Sequence, residues 1–352
     1  MKLILPLCEI NYEELPEKLP VSQNTDLSAL FDFIREWFNS KDYILVKTSG
    51  STGTPKKLQL KKKYLKNSAS ATYKYFEPWN SKPLLMALPA RYIAGKMMVV
   101  RALEYGLPLI WIEPDSNPLP RLKVPVQFAA LVPNQVSAGL QLLHAQKIEK
   151  LIIGGAPVTP ELERKLQTVS TRCYATYGMT ETATHIALRP LNGPERTNAF
   201  TFLKGISGSR NHKNELTIHA PHLGHQNLQT HDIVALNQNE FIWRGRSNFT
   251  INSGGLKIQP EELEKKLEGK IPFAFYFWSE PDPVLGEKPV LVLECEASPA
   301  RKKEILKLLS ANLPDKKLRP KNIYFTPRFS YSNNKKLLRK QTFKTCHTLK
   351  EQ

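Results

Sequence analysis

The run richest in usable chemistry is Thr48-Ser49-Gly50-Ser51-Thr52-Gly53-Thr54-Pro55-Lys56. Gly50 and Gly53 let the backbone turn tightly, Ser49, Ser51, Thr52 and Thr54 supply hydroxyls, and Lys56 adds a positive charge. That combination suits a cradle for a nucleotide's phosphates. The Gly-Lys-Ser/Thr ending of a Walker A loop is absent, so P-loop geometry is not implied. By composition alone the run also fits a polar turn. A second concentration of charge closes the chain: residues 301–352 hold 15 Lys or Arg against 3 Asp or Glu, which is +12 of the total +18. A solvated face fits that asymmetry, and so does a mobile lid presenting positive charge to phosphates. Nucleic-acid binding is not expected, because neither zinc-finger spacing nor an RNA-recognition aromatic signature is present. The four cysteines, Cys8, Cys173, Cys295 and Cys346, are widely spaced without paired ligand spacing. They read as reduced cytosolic thiols, and Cys173 in its apolar, strand-like setting reads as structural rather than nucleophilic.

These groups need a scaffold. The Tyr43-Ile-Leu-Val-Lys47 segment predicts a strand that delivers the polar loop, with a helix at 62–77 beyond it. Short strands at 84–88, 108–112, 128–132 and 151–153, separated by helix-compatible stretches at 93–105 and 135–146, predict a layered α/β domain. From about 171 the elements shorten, with strands at 172–177, 215–220, 232–235 and 240–243. A helix at 261–267, strands near 271–278 and 289–294, a helix near 301–310 and a strand near 321–325 predict a compact α+β tail. The boundary is placed in the turn near Gly245 to Phe249, giving domains 1–246 and 247–352. With 352 residues and 41% hydrophobic content there is ample material for one large core and a smaller companion. No apolar run approaches the roughly 20 residues that span a bilayer. The run Leu3 to Leu7 is interrupted by Cys8 to Glu14 before a signal peptide could form. The expectation is a cytoplasmic protein with no membrane insertion; oligomeric state is left open.

The 48–56 run resembles the phosphate-binding signature of the AMP-forming acyl- and aryl-CoA synthetase, or adenylate-forming, superfamily. Tyr177-Gly-Met-Thr-Glu181, His231-Asp232, Gly245-Arg246, Gly254-Gly255-Leu-Lys257 and Pro260-Glu-Glu262 follow in the order of that family and cover the chain from 43 to about 340. The resemblance implies an adenylate-forming enzyme fold with a shortened amino-terminal region and a small mobile α+β carboxy-terminal domain. It implies ATP, Mg²⁺ and CoA as cofactors. Thr180 and Glu181 would lie near the nucleotide phosphates, with Glu181 helping to hold Mg²⁺. Tyr177 and the Gly154-Gly155-Ala156-Pro157 turn would flank adenine. Asp232 would meet the ribose hydroxyls and Arg246 the ribose or phosphate side, although His231 stands where relatives usually have Gly. Asn248 stands at the usual hinge aspartate. Gly254 and Gly255 would admit the pantetheine arm, with Lys257 orienting that surface; a tight turn explains the glycines equally. Lys335-Lys336-Leu-Leu-Arg339 resembles the family's Gly-Lys-x-x-Arg element, which makes Lys336 the adenylation lysine and Lys335 its competitor.

Two longer neighbourhoods, Leu88-Pro-Ala-Arg-Tyr-Ile-Ala-Gly-Lys-Met98 followed by Val100-Arg101-Ala-Leu103, and Leu151 to Pro157 with Tyr177 to His185, resemble the 2-succinylbenzoate-CoA ligase family of menaquinone biosynthesis. The implied partners are a small aromatic carboxylic acid and CoA. Adenylation with pyrophosphate release would be followed by thioester formation and AMP release. Arg91, Lys96, Thr184 and His185 are candidates for holding a substrate carboxylate, and Tyr92 takes the place of a common histidine without inheriting its role. Another aryl- or acyl-CoA ligase, a carrier-protein-directed adenylating enzyme and a nonenzymatic nucleotide-binding module are the alternatives.

Overall fold

A computed structural model describes residues 2–5, 8–47, 57–145, 147–331 and 337–348. The chain clusters into two compact units, one of Met1–Ser209, Ile218–Leu228 and Asn237–Phe241, the other of Arg210–Thr217, Gln229–Leu236 and Ile242–Gln352. In chain order the first carries β1 (Lys2–Ile4), β2 (Glu9–Asn11), α1 (Thr25–Phe38), β3 (Tyr43–Lys47), β4 (Lys57–Lys61), α2 (Lys62–Tyr75), β5 (Leu84–Met86) and α3 (Ile93–Glu104). It continues through β6 (Leu109–Trp111), β7 (Val126–Leu131), α4 (Pro133–Ala138), α5 (Leu140–His144), β8 (Ile148–Ile153), α6 (Pro160–Leu166), β9 (Arg172–Gly178), β10 (His185–Pro190) and β11 (Phe200–Phe202).

Six strands run parallel in the order β9-β8-β7-β5-β6-β1, while β2, β10 and β11 join antiparallel at the two ends. Parallel strands covered on both faces must be apolar throughout, and all six residues of β7 are buried. Helix α3 is buried from Gly95 to Ala102, on every face rather than along one stripe. Helix α1 is amphipathic, burying Leu30, Phe31, Phe33, Ile34 and Trp37, and its first N–H groups are capped by the Asn24 side chain. The sheet grows from β5 to one side with β6 and then to the other with β7, β8 and β9, so the crevice outside the carboxyl ends of β5 and β7 is a topological switch point.

The expected layered α/β architecture is present, with differences in detail. Between the polar loop and the predicted helix at 62–77 the chain inserts β4, which pairs antiparallel with β3 from Tyr43↔Lys61 to Lys47↔Lys57. The strands on either side of the polar run are therefore paired with each other, and the run itself lies outside the described residues. The helix predicted over 135–146 is two short helices, α4 and α5, parted at Gly139, where a Cβ would sit 2.6 Å from the Leu119 side chain.

Strands β12 (Ser207–Arg210), β13 (Glu215–Ala220), β14 (His225–Asn237) and β15 (Glu240–Arg246) each contribute residues to both units. The rest of the second unit is β16 (Ile251–Ser253), β17 (Leu256–Ile258), α7 (Pro260–Leu267), β18 (Phe275–Asp282), β19 (Gly286–Glu294), α8 (Pro299–Asn312), β20 (Asn322–Thr326), α9 (Arg339–Lys344) and β21 (His347–Thr348). Its sheet has the order β17-β16-β19-β20-β21, with β18 antiparallel on β19. Leu263, Leu267, Ile305 and Leu309 of α7 and α8 pack on Phe277, Leu291, Leu293 and Phe325, giving the predicted α+β tail. Among the described residues no helix is long and apolar enough to cross a membrane.

Candidate active site

In the first unit, three of the expected segments leave the carboxyl ends of parallel strands. The 88–92 segment follows β5, the 154–157 turn follows β8, and the 177–181 segment ends β9. Side-chain bonds tie the neighbouring exits together: Gln135 Nε2 donates to Ala87 O at 3.0 Å and to Asp115 O at 2.8 Å, while its Oε1 accepts from Val132 N–H.

The 154–157 turn needs its glycines. A Cβ on Gly154 would lie 2.2 Å from Thr176 Oγ1, and Gly155 has φ +82°, a left-handed conformation. Ala156 and Pro157 are exposed, so the turn presents itself to solvent. The 177–184 loop is closed by buried Thr182, whose Oγ1 accepts from Met179 N–H and lies 2.8 Å from Thr184 O. Ala183 takes φ +64°, a strained backbone state for a residue with a Cβ. His225 Nε2 reaches Glu181 O at 2.6 Å. Tyr177 packs edge-on against Phe241, 4.9 Å between centroids, and tilted against Phe200. Thr180 and Glu181 are partly exposed, and among the described residues the Glu181 carboxylate takes no hydrogen-bond or ion partner.

Among the described residues no group of three or more His, Cys, Asp or Glu could hold a metal by itself. One free carboxylate at a strand end is the donor set expected where Mg²⁺ is held mainly by nucleotide phosphates and water.

Arg91 and Lys96 do not face this edge with free charges. Arg91 pairs with Asp26 at 2.6 Å, and buried Lys96 lies 3.5 Å from Glu36 and 4.2 Å over the Phe33 ring, with burial holding its pKa down. Both partners belong to α1.

The residue that sequence reasoning passed over is Arg101. It is 3% exposed, and among the described residues its Nε and Nη2 have no hydrogen-bond partner. Its Nη1 reaches only Met98 Sδ at 3.7 Å, and the guanidinium lies 5.9 Å from the Phe128 centroid. Burial alone pulls its pKa down to about 9. The void it lines with Tyr73, Trp79 and Tyr105 is too narrow for a water molecule. Buried His185 is close enough to be held deprotonated by burial first and by Arg101 second. The ring nitrogens of His185 meet Thr72 Oγ1 at 3.2 Å and Thr184 Oγ1 at 3.3 Å, and Ser68 Oγ is buried without a partner among the described residues. This is a cationic, polar centre with no carboxylate among the described residues, an arrangement that is costly unless an anion completes it. The available signal was an arginine in the buried-helix pattern of Met97-Met-Val-Val-Arg-Ala102.

In the second unit, Asp232 is buried and accepts from Trp243 Nε1 at 3.0 Å, with Arg246 Nε 3.6 Å from the same oxygen. The expected ribose and phosphate residues are thus neighbours. Gly254 and Gly255, at φ +57° and +81°, are the two central residues of the β16–β17 hairpin, which pairs Ser253 with Leu256. A type I′ turn demands such angles, so turn chemistry accounts for both glycines. No heavy atom lies within 4 Å of a Cβ at Gly255, and Lys257 is exposed. The 48–56 run, including Thr48, Ser49, Gly50, Ser51, Thr52, Gly53, Thr54 and Lys56, lies outside the described residues, as do Lys335 and Lys336.

Beside Arg246, Glu261 Oε2 is buried without a hydrogen bond among the described residues and would lie 2.6 Å from a Cβ on Gly245. Burial pushes this carboxyl from its ordinary 4.5 up to about 7, against the pull of Arg339. Between those values the folded chain keeps a proton that the unfolded chain has lost, so stability falls as pH rises from about 4.5 to 7 and stays lowered above. Glu261→Gln is expected to match wild type at pH 4 and to exceed it by about 1–3 kcal/mol at pH 8 in urea unfolding. A variant less stable at pH 8 contradicts this.

A family model described as AMP-binding enzyme matches residues 12–202, more than half of the chain. The solved structure of an acyl-CoA synthetase (AMP-forming)/AMP-acid ligase II-like protein from Dyadobacter fermentans is 32% identical, with a TM-score of 0.62 over 93% of this chain and 96% of that one. The o-succinylbenzoate CoA synthetase of Bacillus subtilis, solved with its acyl-adenylate intermediate, shares the fold with a TM-score of 0.74 at 21% identity, over 87% of this chain and 70% of that one. The 2-succinylbenzoate-CoA ligase of Salmonella typhimurium is 26% identical over 262 residues, 70% of this chain and 57% of its own length. That of Lactococcus lactis is 24% identical over 332 residues, 86% and 71% of the respective chains. The chain therefore spans little more than half of the Salmonella relative's length.

Proposed function

Since the chain belongs to the AMP-binding enzyme family, we propose that it is an AMP-forming acid-thiol ligase that joins 2-succinylbenzoate to CoA at the expense of ATP. The observation that carries the activity is the placement of the 154–157 turn and the 177–181 loop on the carboxyl ends of β8 and β9, neighbouring parallel strands of a doubly wound sheet. Ligands of such sheets bind on that edge.

In this reading the hydroxyl-rich 48–56 segment, between β3 and β4 in the sequence, takes the ATP phosphates. The exposed 154–157 turn and Tyr177 flank adenine, and Asp232 with Arg246 takes the ribose side. Glu181, with Thr180 beside it, would hold Mg²⁺, whose charge lowers the cost of bringing carboxylate and phosphate together. Lys336 stabilises charge as the acid's oxygen attacks the α-phosphorus and pyrophosphate leaves. The thiolate of CoA then attacks the carbonyl of the acyl adenylate and AMP departs. Residues 247–352 act as the lid, with Gly254, Gly255 and Lys257 on the CoA side.

Arg101 supports the choice of acid. 2-Succinylbenzoate has two carboxylates, and the one that is not adenylated stays an anion. A buried guanidinium without a carboxylate partner among the described residues is the group that would recognise it, reached from the side of Thr72 and His185 rather than through the void it shares with Tyr73, Trp79 and Tyr105, which admits no water.

The test is a mass-resolved screen of 2-succinylbenzoate, benzoates and aliphatic acids with Mg-ATP, with and without CoA. Acyl adenylate and then acyl-CoA are expected, with 2-succinylbenzoate preferred. Preference for a monocarboxylate would reassign the acid, and no product with any acid would reject the ligase reading.

A further inference from the structure

A cavity of about 560 Å³ lies in the first unit, away from the candidate active site. Its walls come from the turn at 12–14, the end of α1 with residues 39–41 after it, the start of α2 and the end of α3. Helix α3 crosses from the carboxyl end of β5 to the amino end of β6, and Tyr12 Oη donates to Leu107 O, two residues before β6. The cavity therefore belongs to the amino-end edge of the parallel strands. The 88–92, 154–157 and 177–181 segments leave the opposite edge.

Three lysines and two glutamates line the cavity, and only part of that charge is matched. Lys66 Nζ pairs with Glu104 at 3.0 Å. Lys62 Nζ donates instead to neutral Asn39, to its backbone O at 2.8 Å and its Oδ1 at 3.1 Å. Lys41 Nζ lies 5.9 Å from the Tyr43 centroid, and among the described residues neither it nor Lys62 has a carboxylate at ion-pair distance. Glu36 and Asp42 act on Lys62 from further off, but burial outweighs them and holds its pKa below the ordinary 10.5. Lys61 and Lys63 flank Lys62, and the first turn of α2 contains no acidic residue, so the local field is positive. Glu13, the other carboxylate of the lining, is exposed to water. Trp37 and Leu103 supply apolar wall, and Phe38 leaves 45% of its surface exposed there.

We propose that this cavity is a second ligand site, for a small aromatic anion whose ring lies against Phe38 and Trp37 and whose carboxylate or phosphate takes Lys41 and Lys62. Its volume and its mixture of apolar wall with a few polar groups are those of small-ligand sites. An anion adds charge-assisted hydrogen bonds to two ammonium groups that lack them, and a ring covers exposed aromatic surface. Lysines act as compact point charges without the planar fork of arginine, so the oxyanion is held loosely in orientation and the ring supplies the selectivity. The proposal is independent of the ligase reading.

The test is calorimetric titration of the full chain and of its Arg101→Met variant with 1-naphthoate. Its uncharged isostere 1-naphthamide, acetate as an anion without a ring, and AMP as an aromatic phosphate complete the set. 1-Naphthoate is expected to bind both proteins, with acetate and 1-naphthamide weaker by about tenfold or more. Lys41→Gln, Lys62→Gln and Phe38→Ser should each weaken it about fivefold in either background. Lys41 and Phe38 are exposed, so their variants carry the test should Lys62→Gln not fold. AMP binding that the same substitutions weaken supports the site and identifies the anion as a phosphate. Affinity for 1-naphthamide equal to that for 1-naphthoate overturns the proposal and leaves an apolar crevice. Binding of 1-naphthoate that ignores Lys41, Lys62 and Phe38 and disappears in Arg101→Met overturns it too, because the acid then occupies the Arg101 centre alone. Absence of binding by both 1-naphthoate and AMP also overturns it.

Discussion

Lys336→Ala is expected to lower acyl-adenylate formation by about two to three orders of magnitude, while thioester formation from supplied acyl adenylate stays within a few-fold of wild type. A positive group that meets charge developing at the α-phosphorus acts in the transition state of the first half-reaction alone, and removing one such group from a preorganised site typically costs about 100- to 1000-fold. Pyrophosphate release and mass detection of the adenylate measure the first step, and CoA-dependent loss of supplied adenylate the second. Lys335→Ala is the matched control, because the two lysines are adjacent and only their spacing to Arg339 separates them. Should Lys335→Ala show the split and Lys336→Ala not, the lysine is the neighbouring residue.

Arg101→Met is expected to move activity and stability in opposite directions. The wild-type guanidinium is buried with two of its nitrogens unpartnered among the described residues, and burial depresses its pKa to about 9. Replacing an uncompensated buried charge by an apolar chain of similar length removes a desolvation cost, so Tm should rise. Losing a charge-assisted contact to the second carboxylate should lower kcat/KM for 2-succinylbenzoate by about 100-fold, the equivalent of roughly 2–3 kcal/mol. Benzoate, which has no second carboxylate, supplies the control: its kcat/KM should not change. An equal loss with both acids, or a fall in Tm, would make Arg101 a packing residue.

Much of the first unit was legible because its signals are local. A strand buried on both faces writes a continuous apolar run, as Val126–Leu131 does, and a helix that caps and packs writes its own period. Glycines at φ beyond +50° are legible for the same reason: the backbone state belongs to one residue, as at Gly155 and Gly254. Strand β4 escaped because Lys57–Lys61 is only five residues long with a lysine at each end, and what makes it a strand is its partner β3. The break between α4 and α5 escaped because the side chain that crowds Gly139 comes from Leu119, twenty residues earlier. Arg91 and Lys96 had the right charge for a substrate carboxylate, and nothing nearby in sequence reveals that Asp26 and Glu36 meet them.

The sequence by itself determined the layered α/β class, the α+β tail, the order of the motifs and the concentration of +12 in the last 52 residues. Each of these depends on residue type and short spacing. The tertiary structure decided which charges are already satisfied and which are not. Arg91, Lys96 and Arg339 have carboxylate partners 60 to 75 residues away in the sequence, whereas Arg101 has none among the described residues. The physical reason is that a charge's cost depends on the dielectric and the partners around it, and those are set by chain segments that only folding brings together.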